Sequence, residues 1–210
     1  MISIFIAEDH TIVRHGLAQM IAAERDLSVA GQAGTADELL NDPALTTCDV
    51  VLLDVTLGQD NGLVLIEPIR VRNPRAAILI LSMHPEEHFA VRVLRMGGAG
   101  YVQKSVEPAE LLRVIRLVAR GGRYLSPAMA EKVATQPFHD AAVAPHERLS
   151  PREFEVFLLL TSGLSVSGIA ERLGVTVNTV STHRQRILLK MEMTSNAALV
   201  HYAVQNGLVS

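Results

Sequence analysis

The chain of 210 residues is defined first by what it lacks. It has a single cysteine, Cys48, so no internal disulfide can form. That excludes the small disulfide-stapled scaffolds and points to a reducing compartment, the cytoplasm. No apolar run approaches the roughly 18–20 residues that a membrane-spanning helix needs. The opening residues, MISIFIAEDH, carry no basic flank and meet two acids, which does not read as a secretory signal. Internal repeats and low-complexity segments are missing too. So is any excess of positive charge: the formal net charge is -3, which on its face speaks against a nucleic-acid partner. The length allows one large domain or two small ones, with enough chain to bury a core.

The charge is unevenly spread. Residues 1–125 carry 12 basic and 15 acidic residues, whereas residues 146–210 carry 6 basic and 5 acidic ones. Between Val177 and Met191 stand Arg184, Arg186, Lys190 and His183 with no acid. Such asymmetry between halves is a hint of separate roles, although three bases on one helix can equally be a solvated face.

Within the first 125 residues, short runs of Ile, Val and Leu alternate with helical periodicity. The apolar runs are Ile2–Ala7, Leu27–Gly31, Val50–Leu53, Ala77–Leu81 and Gly100–Val102. The helical stretches are Ile12–Ala23, Ala36–Leu45, Leu63–Arg72, Glu86–Met96 and Pro108–Arg120. Strands that are apolar on both faces, alternating with helices, imply a parallel sheet covered on both sides. Five such units predict an α/β doubly wound, five-stranded open sheet. Residues 126–149 begin with a short helix and then lose periodicity, as a linker does. From Ser150 onward the pattern is all-α. Ser150-Pro151-Arg152-Glu153 is a capping-box sequence, and four short helices follow. The predicted boundaries are a domain over 1–122, a linker with a short helix over 123–146, and a four-helix domain over 147–210.

Open α/β sheets bind ligands at the carboxyl ends of their strands. The polar residues at those ends are Glu8 and Asp9, Asp54, Ser82 and Lys104. Taken singly, an acid or a serine before a helix is an ordinary cap. Gathered at one edge, three carboxylates repel one another unless a cation lies among them, and hard oxygen ligands suit Mg²⁺. A lysine and a hydroxyl nearby suit a phosphoryl group. The simplest chemistry is an aspartyl phosphate on Asp54.

The stretches EDHTIVRHGL, VVLLDVTLGQDNGL, LILSM and GAGYVQKS resemble the receiver domains of bacterial two-component response regulators, over about residues 1–120. The resemblance implies a flavodoxin-like fold with Asp54 as phosphoacceptor. It implies Mg²⁺ held by Glu8, Asp9, Asp54 and the backbone carbonyl of Thr56. Ser82 and Lys104 would contact the phosphoryl group, and Tyr101 falls at the aromatic switch position. One departure is Leu57-Gly58, where the family usually has Met-Pro.

In the last part, two short helices joined through Gly174-Val175-Thr176 fit a helix-turn-helix. Asn178, Ser181, Thr182, Gln185 and Arg186 lie mostly on one side of the second helix, opposite Val180, Ile187 and Met191. The run LSPREFEVFLLLTSGLSVSGIAERLGVTVNTVSTHRQRILLKMEM is similar to the LuxR-type helix-turn-helix of the NarL/FixJ family. That similarity implies double-stranded promoter DNA as a partner, with Ser181, Thr182 and Gln185 toward bases. His183, Arg184 and Arg186 would lie near phosphates, and Asn178 and Lys190 complete the expected contact set. Ser167-Gly168 and Ser181 stand where the family commonly has charged residues. Further implied partners are a sensor histidine kinase, a second copy of the chain on phosphorylation, and RNA polymerase, with no membrane.

Two other functional classes make different demands on the sequence. A haloacid-type phosphatase would carry a second acid two residues after its nucleophile, and here Asp54 is followed by Val55 and Thr56. An interaction module that takes no phosphoryl group and binds DNA constitutively is the alternative that Leu57-Gly58 favours. His84 and His88 do not follow the His-Glu-x-x-His order of a zinc pair. Cys48 is expected to be inert.

Overall fold

The computed structural model describes residues 1–58, 60–83, 85–135 and 144–209. The chain divides into two compact units, Met1–Val133 and Ala134–Ser210.

The first unit is built on five parallel strands: β1 (Ile2–Ala7), β2 (Leu27–Ala33), β3 (Val50–Asp54), β4 (Ala77–Ser82) and β5 (Gly100–Gln103). Their order is β2-β1-β3-β4-β5, so the winding reverses between β1 and β3 and opens a crevice at their carboxyl ends. All five residues of β3 are buried, as expected for a central strand with helices on both faces. Side chains alternate across the sheet. One face packs Ile4, Ile6, Leu52, Leu79 and Leu81 against Ile21 of α1 (Thr11–Ala22) and Leu111, Ile115 and Val118 of α5 (Pro108–Ala119). The alternate residues Phe5, Val51, Leu53, Ile78 and Ile80 are equally buried. On that side α2 (Ala36–Asn41), α3 (Gly62–Arg72) and α4 (Glu86–Arg95) bury Leu39, Ile66, Ile69 and Phe89. Each such side chain contributes about 1.5–3 kcal/mol on burial.

Three differences from the sequence expectations are local. The second helix stops at Asn41, not Leu45, and Pro43–Thr46 forms a separate 3-10 turn. Proline disfavours helical geometry in the residue before it, and Asp42 is extended, with its carboxylate accepting from the Ala44 N–H. Asp54 and Ser82 are the last residues of their strands rather than the first beyond them. Between Asp54 and α3 the chain makes a two-residue antiparallel ribbon, with Thr56 opposite Asn61 and Leu57 opposite Asp60. Gly58 at its tip has φ +63°, a conformation closed to proline, whose ring fixes φ near -65°. The departure at Leu57-Gly58 is thus a different turn.

After α5 the chain returns to the sheet. The Tyr124 N–H donates to the Ala99 carbonyl, and Tyr124 pairs with Gly100 beside β5. Ser126 then caps α6 (Pro127–Thr135), its hydroxyl accepting from the Met129 N–H.

The second unit contains α7 (Pro151–Thr161), α8 (Val166–Arg172), α9 (Val177–Lys190) and α10 (Asn196–Gln205). Every one is N-capped by a hydroxyl: Ser150, Ser165, Thr176 and Ser195. At Ser150 the capping box is complete, with Glu153 returning a bond to the Ser150 N–H. Gly174 turns the chain between α8 and α9 with φ +61°, a region that only glycine enters freely. Phe154, Phe157, Ile169, Val180, Ile187 and Leu199 form the core. Much of the stretch read as linker, 136–143, lies outside the described residues. Its end is not loose: Pro145–Arg148 is a 3-10 turn, and buried His146 meets the Tyr202 hydroxyl of α10 at 2.7 Å from Nδ1.

Candidate functional site

The crevice at the carboxyl ends of β1, β3 and β5 gathers charge. Lys104 follows β5, and its backbone N–H is held by the Ser82 carbonyl at 2.8 Å. Its Nζ stands 2.7 Å from Asp54 Oδ2 and 2.7 Å from Glu8 Oε2. Glu8 is 1% and Asp54 4% exposed. Burial raises the Asp54 carboxyl from 3.8 to about 6, against the opposing pull of Lys104 and the Thr56 N–H. Burial alone would lower Lys104, but its contacts with Asp54 and Glu8 outweigh it, and the ammonium is held above its ordinary value.

Ligand atoms of Glu8, Asp9, His10 and Asp54 all lie within 4.8 Å of one another. Glu8 Oε2 is paired with Lys104 Nζ, and Asp9 Oδ1 with His10 Nδ1, each at 2.7 Å. Asp9 is the main influence raising His10. Three carboxylates this close together form an oxygen donor set that a hard divalent cation takes.

Behind this cluster, Ser82 is 1% and Tyr101 0% exposed. The Tyr101 hydroxyl is hydrogen-bonded to Ser82, and burial holds it above its usual value. Its ring stacks on Phe89 of α4 at 6.1 Å. The structure therefore brings Glu8, Asp9, Asp54 and Lys104 together and joins Ser82 to Tyr101.

Two residues here escaped the sequence reading. A Cβ at Gly62 would lie 1.9 Å from the Asp54 carbonyl oxygen, so the start of α3 closes against the end of β3 only because position 62 has no side chain. The Asn-Gly at 61–62, with Asn61 capping Leu63, is the trace it leaves in the sequence. The second is Glu86, the first residue of α4, whose Oε1 accepts from the Ser126 N–H at 2.8 Å. Glu86, Tyr101, Gln103, Tyr124 and Ser126 line a cavity of about 130 Å³.

On α9, Asn178, Thr182, Gln185 and Arg186 are exposed, while Ser181, His183, Arg184 and Lys190 are half-buried. Val180, Ile187 and Met191 face the core. Two of the cations in the expected DNA-contact set are engaged within the unit. Arg184 Nε donates to Asn196 Oδ1 at 2.7 Å. Lys190 Nζ pairs at 2.6 Å with Glu153, which is 3% exposed. Burial would raise Glu153, but Lys190 and the Ser150 N–H together hold its carboxyl below the usual range. Lys190→Met should therefore lower the melting free energy of this unit by about 1–2 kcal/mol, since a buried carboxylate loses its partner. Calorimetry of the full chain checks this. An unchanged transition would show the pair to be a solvated contact.

Two family models match the chain. "Response regulator receiver domain" covers residues 4–116, and "Bacterial regulatory proteins, luxR family" covers 147–203. Response regulator GacA of Pseudomonas viridiflava is 33% identical over 210 residues, covering 100% of this chain and 98% of the relative. Response regulator UvrY of Escherichia coli (strain K12) is 29% identical over 209 residues, covering 99% and 96%. Among solved structures, a LuxR-family two-component response regulator from Aurantimonas sp. SI85-9A1 is 36% identical over 63% of this chain and 94% of that one, with TM-score 0.58. RcsB from Salmonella enterica serovar Typhimurium, bound to promoter P1flhDC in the presence of phosphomimetic BeF3-, is 25% identical, covers 97% and 98%, and has TM-score 0.74. With the parallel sheet and the four-helix unit, these matches establish that the chain belongs to the two-component response regulators of the NarL/FixJ family, which join a receiver domain to a LuxR-type regulatory domain.

Proposed function

We propose that Asp54 accepts a phosphoryl group from a sensor histidine kinase and thereby controls promoter binding by the C-terminal unit. The observation that carries this reading is the pairing of buried Asp54 with Lys104, with carboxylate oxygens of Glu8 and Asp9 within 4.8 Å of that of Asp54. An Asp54 carboxylate oxygen attacks phosphorus, and the bond from phosphorus to the donor's imidazole nitrogen breaks as the imidazole leaves. Glu8, Asp9, Asp54 and the Thr56 carbonyl would hold Mg²⁺, which supplies charge neutralisation on the phosphoryl oxygens. Lys104 then pairs with those oxygens, and the Ser82 hydroxyl donates to one of them. The chain modifies itself and turns over no separate substrate. Domain limits of 1–122 and 147–210, with the linker between, fit this division of labour.

When Ser82 turns to the phosphoryl group, its bond to Tyr101 is released, and Tyr101 and α4 are free to repack. The Glu86 bond to Ser126 ties the start of α4 to the start of α6, so the repacking reaches the segment that leads out of the receiver. Glu86→Ala is expected to leave Asp54 phosphorylation unchanged while shrinking phosphodonor-stimulated DNA affinity by about threefold. Glu86→Gln, which keeps an acceptor oxygen, should retain the stimulation. Equal stimulation in all three proteins would remove Glu86 from the route.

Exposed Asn178, Thr182 and Gln185 present groups that bond base edges, and Arg186 a cation for phosphate or guanine. With Arg184 and Lys190 engaged internally, each monomer offers few phosphate contacts. Pairing of two copies on two half-sites then supplies the affinity. RNA polymerase is the natural downstream partner, and the cytoplasm the natural setting. Among the described residues no helix is long and apolar enough to cross a membrane. Intact-mass analysis after treatment with acetyl phosphate and Mg²⁺ tests the covalent step. One phosphoryl increment mapped to Asp54 is expected, and an unmodified Asp54 contradicts the reading.

A further inference from the structure

We propose that Arg14 is a positioning residue that fixes the Glu8–Asp9 backbone so that both carboxylates face Asp54; this rests on the metal-assisted phosphoryl transfer proposed above. The loop between β1 and α1 has to present two acids from consecutive residues on one side. Consecutive side chains leaving a strand diverge, so the backbone must be held in a turn. Several bonds hold that turn, and the Arg14 side chain donates to the carbonyls of both acids. The Glu8 N–H is taken by the Ala33 carbonyl at 3.0 Å. The Glu8 carbonyl accepts from Arg14 Nη1 at 2.5 Å, and the Asp9 carbonyl from the same nitrogen at 3.3 Å. The His10 N–H returns to Glu8 Oε1 at 3.2 Å, and the His10 carbonyl accepts the Arg14 N–H at 2.9 Å. α1 has no side-chain cap at His10, so this reach back from the helix's first turn fastens its entry. The guanidinium itself is seated. A Cβ on Gly34 would lie 3.2 Å from Nη1, so the end of β2 leaves room for it. The Gly34 N–H is fixed in turn by Glu38 Oε2 at 2.7 Å.

A positioning role and a plain charge effect differ in sign. If Arg14 were only a nearby cation, removing it would strengthen binding of a divalent ion through Coulomb's law. If it positions the two acids, removing it weakens that binding, and loss of an outer partner of metal ligands typically costs about 10–100-fold. The test is Mn²⁺ binding by the full chain, followed through the spin-resonance signal of the free ion. It is run for wild type, Arg14→Gln and Arg14→Lys, with circular dichroism as a check on folding. Weakening of about tenfold in Arg14→Gln is expected, with an intermediate value in Arg14→Lys, which keeps the charge and one donor. Should Arg14→Gln not fold, weaker binding by Arg14→Lys at unchanged charge carries the same conclusion. Affinity that is unchanged or tighter in a folded variant overturns the positioning role and leaves the phosphoryl-transfer reading intact. A wild-type chain that binds no Mn²⁺ overturns the metal reading, and the role of Arg14 with it.

Discussion

Replacing Asp54 with Asn should make the receiver more stable while abolishing its covalent chemistry. Asp54 is 4% exposed, and burial raises its carboxyl from 3.8 to about 6. A folded-state value above the unfolded one means that the stability associated with the protonated acid is fully present below about pH 4. It is lost as pH rises through about 6. The shift corresponds to roughly 2–3 kcal/mol of cost for the ionised group at neutral pH. The amide has the same shape and no charge to desolvate. Unfolding free energies of the two proteins should therefore converge near pH 4, part between about pH 4 and 6, and stay apart above it, with the variant the more stable. The same variant should take up no phosphoryl group, because an amide oxygen is a poor nucleophile. A variant less stable than wild type throughout this range would show that Asp54 is held by its contacts with Lys104 and Thr56 more than it is penalised by burial.

The second large effect is expected at Gly62. A methyl group there would lie 1.9 Å from the Asp54 carbonyl oxygen, and the neighbouring atom is backbone. No rotamer change relieves that contact, so either α3 or the end of β3 must move. The Gly62 N–H is bonded to the Val55 carbonyl at 2.6 Å, and the ribbon carrying Thr56 hangs from the same junction. Gly62→Ala should cost about 3 kcal/mol or more in stability. Displacement of the nucleophile by even about 1 Å should slow phosphorylation of Asp54 by acetyl phosphate on the order of 100-fold. Rate measurement at a temperature where circular dichroism shows a folded variant separates the two effects. A folded Gly62→Ala protein with wild-type phosphorylation would mean that the loop absorbs the methyl group without moving Asp54.

Much of this architecture was legible because parallel strands write themselves plainly. The runs FIA, VVLL and ILIL are apolar on both faces, and polar residues stand at their ends. Sheet topology then brings together residues as distant as Glu8, Asp54 and Lys104. What stayed hidden depended on contacts between residues far apart in sequence. Arg184 and Lys190 read as cations available to DNA, yet their partners Asn196 and Glu153 lie 12 and 37 residues away. His146 sat in a proline-containing stretch without periodicity, and its burial follows from partners met only in the fold, among them the Tyr202 hydroxyl 56 residues later and the Phe154 ring. At Gly62 the sequence offers only the Asn-Gly pair, which does not announce that the Asp54 backbone carbonyl presses on that position. Pro43 stands inside the stretch read as one helix, Ala36–Leu45, and it ends that helix at Asn41.

The state of Asp54 is expected to set the affinity of the helical unit for DNA. The most direct measurement is a fluorescence-anisotropy titration of a DNA fragment enriched by this protein from a randomised pool. Wild type and Asp54→Asn would each be titrated with and without acetyl phosphate and Mg²⁺ at fixed salt. Wild-type affinity should tighten by about tenfold with the phosphodonor, a coupling near 1.4 kcal/mol, and Asp54→Asn should not respond. Equal wild-type affinities in the two conditions, or a variant that responds as wild type does, would contradict it.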